Sequence, residues 1–331
     1  TAAGRIQGQA GLAVEGRCGY LADDLRCRLH QAGGAAAKPM GCRLFPATFA
    51  DDGEAIRVSV APECACVFVS AAGAAEGSPL VPSDTHTGAD LPPEAYVRPV
   101  ADPVPLTAVR SETRSRYVSW SRLVAEHWAA QVELLRSPSR ASAAPAAAEA
   151  DPVVDPIDAL WALARAVEEV GLVDTATRQA LSAPPLVPMA ELRPWLTSLR
   201  GLIERRCPHD VSWRAEGDLA RSAFDWLKTA CELVDSTGAE PVPGAATAAW
   251  AAPSAALGAR LRLEEAFYLR ALFHGHGIVD GLPLAAALRD RAVRLAVART
   301  LPSVWAAEGR SATGDAAFEH PLALCEATVR G

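Results

Sequence analysis

With 331 residues, a formal net charge of −7 and a pI near 5.6, the chain has no basic stripe of the kind a phosphate backbone demands, and nucleic acid is not an expected partner. No run approaches the roughly eighteen uninterrupted apolar residues of a membrane span. No basic start, apolar run and cleavage site mark a secretory signal either, so a cytoplasmic setting without a membrane partner is expected.

Half of the residues are apolar, and much of that half is alanine, which favours helix while burying little surface per residue. The expected fold class is therefore mainly α, with a small cysteine-rich α+β unit followed by a helical domain. The chain opens on Thr1 rather than methionine, which leaves room for an upstream segment.

Residues 1–70 mix glycine turns, short apolar runs and cysteines. Asp51-Asp52-Gly53 is a strong turn signal, and Ile56-Arg57-Val58-Ser59-Val60 after it alternates like a half-buried strand. Arg43-Leu44-Phe45 before the turn completes an expected short hairpin. Residues 71–110, rich in Ala, Gly, Pro, Ser and Asp, read as an irregular connection.

From residue 111 to 331 the pattern is helical, interrupted by a linker near 137–154 that carries Pro138, Pro145 and an alanine run. Trp120, Leu123, Val124, Trp128, Val132 and Leu135 form one stripe. Asp155-Pro156 reads as an N-cap followed by proline at the first helical position, ahead of Ile157, Leu160, Trp161 and Ala164, with Gly171 as the stop. Later helices are expected around Leu192 to Ile203, Leu219 to Val234, Leu257 to Phe273 and Leu284 to Arg299.

Five of the eight cysteines fall between residues 18 and 66, spaced Cys-x8-Cys-x14-Cys-x21-Cys-x-Cys. Thiolates are soft donors that suit zinc, copper(I) or iron–sulfur clusters, and a small glycine-broken unit gains stability when one centre fixes its loops. Cys18, Cys27, Cys42, Cys64 and Cys66 are the candidate ligands. Packed, unreactive thiols and disulfides are the alternative readings of the same five residues.

Three pieces carry a resemblance: Cys18-Gly19-Tyr20-Leu21, Cys27-Arg28-Leu29-His30, and Lys38-Pro39-Met40-Gly41-Cys42-Arg43-Leu44-Phe45-Pro46. In this order they resemble the YkgJ-like cysteine-cluster proteins, described as zinc- or iron-chelating, over residues 15–68. Members usually carry a further cysteine cluster ahead of these pieces, and residues 1–17 hold none. The run Leu263-Glu264-Glu265-Ala266-Phe267-Tyr268-Leu269-Arg270-Ala271-Leu272-Phe273-His274 is similar to the C-terminal part of flagellin lysine N-methylases. That second resemblance implies an iron–sulfur cluster, S-adenosylmethionine as methyl donor and a protein substrate such as flagellin.

The leading expectation is a metal- or iron–sulfur-binding protein, with protein-lysine methyl transfer as its enzymatic form. The alternative is a non-catalytic structural zinc module bracing a helical interaction protein. Cys207, Cys231 and Cys325 are expected to be core residues, and the tryptophans to pack on helical stripes. Glu264 and Glu265 read as a solvated helix face. His30 reads as a structural or solvent-facing histidine, and His274-Gly275-His276 as a helix end favoured by the dipole.

Overall fold

The computed structural model describes residues 28–34, 37, 44, 47–62, 67–68, 91, 95–136, 154–206, 217–236, 255–279, 281–308 and 320–330. It also describes four two-residue strands paired as two small hairpins: β1 (Arg5–Ile6) with β2 (Gln9–Ala10), and β3 (Ala13–Val14) with β4 (Arg17–Cys18). The linker expected at 137–154 lies outside the described residues apart from Val154. The fold is mainly α, with nine α-helices and a small three-stranded sheet among the described residues. None of these helices is long and apolar enough to cross a membrane.

After α1 (Arg28–Gly33) come β5 (Ala47–Asp51) and β6 (Ile56–Val60), antiparallel from Ala47↔Val60 to Asp51↔Ile56. The turn forms as the sequence implies. Asp51 Oδ1 accepts from the Gly53 N–H at 2.8 Å, Asp52 Oδ1 accepts from Glu54 and Ala55 at 2.8 and 2.7 Å, and Gly53 takes a φ of +85°. The first strand is described from Ala47, and Arg43 and Phe45, expected to belong to it, lie outside the described residues. Within the segment expected to be irregular, β7 (Val97–Pro99) adds a parallel third strand beside β5, and β8 (Val104–Pro105) pairs with β9 (Ser111–Glu112). Strands of two or three residues are too short to produce a readable period.

Eight further helices follow: α2 (Arg114–Arg136), α3 (Pro156–Glu169), α4 (Asp174–Ser182), α5 (Met189–Arg206), α6 (Gly217–Ser236), α7 (Ala255–His274), α8 (Leu284–Ala307) and α9 (Pro321–Arg330). The expected start of α3 is seen directly, with the Asp155 carboxylate accepting from the Ile157 N–H at 2.8 Å. Its stop is Gly171, at φ +79°, whose N–H donates to the Val167 carbonyl. Helices α4 and α9 carry weak apolar patterns and are not apparent in the sequence. Helix α8 runs past Arg299, through Pro302, to Ala307, because Leu301, Val304 and Trp305 remain buried there.

Helix α8 is buried over most of its length, Arg291 and Arg294 included, and packs against α3, α5, α6 and α9, while α7 packs against α2 and β6. One continuous core joins them, running from Val60, Phe68 and Val100 to Cys325, with Trp120, Trp128, Trp226 and Trp305 fully buried in it.

Candidate functional site

Cys27, Cys42, Cys64 and Cys66 lie outside the described residues, and Cys18 is described only by its backbone, opposite Ala13 at the β3–β4 pairing. Cys207 and the His30 side chain also lie outside them. Cys231 and Cys325 are buried in α6 and α9, as expected of core residues. Burial pushes the Cys231 thiol up to about 12 and raises that of Cys325 as well, so both stay protonated and are poor metal ligands at neutral pH. Among the described residues, no three His, Cys, Asp or Glu side chains converge to hold a metal ion.

Two buried polar sites on α7 are described in full. The first overturns the solvated-face reading of Glu264 and Glu265, which are 1% and 3% exposed. Both point into the protein, where polar partners from other elements meet them. Glu265 accepts from Arg299 of α8 at 2.6 and 2.7 Å, and Arg299 also reaches the Asp155 cap at 2.7 Å. Burial raises the Glu265 carboxyl, and the Arg299 charge opposes that shift.

Glu264 Oε1 lies 2.9 Å from His320 Nδ1 and 3.4 Å from Arg260 Nε. A carboxylate oxygen accepts, so Nδ1 is the donor of this contact and Nε2 is the nitrogen left for another partner. That Nε2 is buried without a hydrogen-bond partner, as is Glu264 Oε2. The His320 ring stacks on Phe68 with centroids 6.0 Å apart, and Phe68 follows Cys66 by two residues in the chain. A histidine oriented through Nδ1 by a carboxylate, with Nε2 open, has the arrangement typical of a metal-ligating imidazole.

The second site is the C-terminal end of α7, where orphan carbonyls need donors. Three side chains supply them. Ser59 Oγ donates to the Ala271 carbonyl and Ser121 Oγ to that of Phe273, each at 2.7 Å, while Arg98 Nη2 donates to that of Gly275 at 3.0 Å. A strand with one buried face normally turns its apolar residues inward. Here Arg57 and Ser59 of β6 are the buried pair, and Ile56 and Val58 are only half-buried, because the surface that β6 meets is polar. Gly275 permits this approach, since a Cβ there would lie 2.5 Å from that of Ser59.

Arg57 Nε donates to Asp52 Oδ2 at 2.6 Å, and His276 Nε2 lies 3.6 Å from the same oxygen. Burial alone would raise the Asp52 carboxyl. Contact with His276 and hydrogen bonds from Ala55, Arg57 and Glu54 outweigh it and hold the group well below the usual carboxylate range. His276 is buried, and burial lowers its pKa despite Asp52, so it is a neutral ring rather than a cation at a helix end. It adopts φ +52°, uncommon for a residue with a side chain, with its ring 5.4 Å from that of Tyr117.

These sites were missed although a signal was present. Two adjacent acids within a helix point about 100° apart, and flanked by Leu261, Leu263, Ala266 and Phe267 they cannot both face water. Comparisons with protein families, curated proteins and solved structures give no match for this chain.

Proposed function

We propose that the chain binds a metal ion or an iron–sulfur cluster through the thiolates of Cys18, Cys27, Cys42, Cys64 and Cys66, as the cysteine-cluster proteins it resembles are described to do. The observation that carries this reading is His320. Its imidazole is fixed by Glu264, its Nε2 is unpartnered, and it lies against the residue that follows Cys66 by two positions. A structural zinc ion would brace the N-terminal residues, whereas an iron–sulfur cluster would supply redox or donor-activating chemistry.

The more specific form of the proposal is S-adenosylmethionine-dependent methyl transfer to lysines of a protein such as flagellin, resting on the sequence similarity of α7. A cytoplasmic setting, which keeps thiols reduced, belongs to the same reading.

The test is metal and iron per chain after anaerobic purification, with the visible spectrum. We expect stoichiometric metal in the wild type, loss in Cys42→Ser, weakened retention in His320→Ala and no change in Cys231→Ser. A brown protein absorbing in the visible selects the cluster, and a colourless zinc protein selects the non-catalytic module. A wild-type chain without metal, or a Cys42→Ser chain with full metal content, removes the proposal.

A further inference from the structure

We infer that the cleft at the C-terminal end of α7 binds a small organic anion, a carboxylate or a phosphate monoester of a few carbons, with its charge on Arg270 and beside His276. The cleft encloses about 280 Å³ and opens to solvent between α2, α7 and the β5–β6 hairpin. Arg57, Arg122, Arg270, His274 and His276 line it, and Glu126 is the one acid among the described residues of its wall. Phe273 and Val118 give it an apolar side against which a short carbon chain packs.

The cations are not equivalent. Arg57 is paired with Asp52, and Arg122 reaches Glu54 at 3.2 Å. Arg270 is half-buried and makes no hydrogen bond or ion pair among the described residues. Burial and the nearby Arg136 charge lower its pKa, with only Glu133 opposing them. A guanidinium partly stripped of water and facing a like charge gains most from an anion that accepts two of its N–H groups at once.

His276 supplies the second, independent indication. Its Nε2 faces Asp52 Oδ2 at 3.6 Å, its Nδ1 is buried without a hydrogen-bond partner among the described residues, and it lines this cleft in a left-handed backbone conformation. With the proton of the neutral ring on Nε2, towards Asp52, Nδ1 is an open acceptor suited to a hydroxyl of the ligand, such as that of a hydrogen phosphate, while Arg270 takes the anionic group. The volume lies at the low end of small-molecule sites, which fits one anionic group on a short carbon chain and not a nucleotide or a polyanion.

The test uses the whole chain with two probes, inorganic phosphate and butyrate, against chloride at matched ionic strength, by titration calorimetry and thermal unfolding. Arg270→Gln removes the cation. Ala129→Phe fills the cleft without changing charge, and Arg178→Gln, on the surface of α4, controls for net charge. We expect one-to-one binding of at least one probe, weakened about tenfold or more in Arg270→Gln and in Ala129→Phe and unchanged in Arg178→Gln. The probe that binds identifies the headgroup. The inference is overturned if neither anion binds beyond the chloride background, if Arg270→Gln binds like the wild type, or if all three variants weaken binding equally.

Discussion

Helix α7 carries two buried polar regions that differ in how their charges are met. Along its middle, Glu265 is locked to Arg299 and Asp155, and Tyr268 Oη donates to Glu326 at 2.7 Å, the carboxylate that Arg291 of α8 also holds at 2.8 and 2.9 Å. Arg294, on the same helix, is paired with Asp290. At the C-terminal end, cations outnumber acids among the described residues of the cleft wall, Arg270 makes no hydrogen bond or ion pair among those residues, and His276 Nδ1 is open. Burial of charge is therefore not by itself a sign of function. The closed belt joins helices, and it is the imbalance beside solvent that marks a ligand site.

The largest expected effect probes the closed region. Glu326→Ala leaves Arg291 charged and buried without its carboxylate and should cost about 3–5 kcal/mol, measured by urea unfolding. A loss below about 1 kcal/mol would mean that water reaches this belt, and the comparison would break.

At the open end, Gly275→Ala forces a methyl group into Ser59 and should cost about 1–3 kcal/mol. Hydrogen exchange should show β6 opening before α8 in this variant. Uniform loss across both would mean that the hairpin and the helical core do not open separately.

Asp52 sharpens the same region through pH. Its carboxyl is held below its ordinary value, so its contribution is complete above the unfolded pKa near ~3.9 and is lost as pH falls through the depressed folded value. Asp52→Asn should cost about 2 kcal/mol at neutral pH and flatten the acid-side loss of stability below about pH 4. Parallel acid limbs in the two proteins would exclude Asp52 as their source.

Asp158 gives the smallest effect and the opposite sign. Burial pushes its carboxyl up to about 6, so the folded state holds a proton that the unfolded state has released, and stability falls as pH rises from about 4 to 6. Asp158→Asn can still accept from the Val187 N–H and should be more stable by about 1 kcal/mol at pH 7, after allowance for partial exposure. That advantage should vanish below pH 4.

Elements with local chemical punctuation were legible in the sequence. Asp155-Pro156 starts α3 and Gly171 ends it, Asp52-Gly53 turns the hairpin, and the stripes of α2, α5, α6 and α7 give their periods directly. The extension of α8 through Pro302 was not legible, because packing of Trp305 and Val304 decides it against local preference. Nor was the inward face of β6, where Arg57 and Ser59 displace Ile56 and Val58 because of groups more than two hundred residues away in the chain, such as the Ala271 carbonyl.

The sequence by itself determined a mainly helical protein, several helix boundaries, the hairpin turn and the close spacing of five cysteines along the chain. Those properties follow from neighbours within a few residues: capping, period and turn chemistry. Only the tertiary structure decided that Glu264 and Glu265 are buried, that Glu264 orients His320, and that His276 meets Asp52 on the cleft that Arg270 also lines. The desolvation of a charged group, and the partner that answers it, depend on elements brought together from distant parts of the chain.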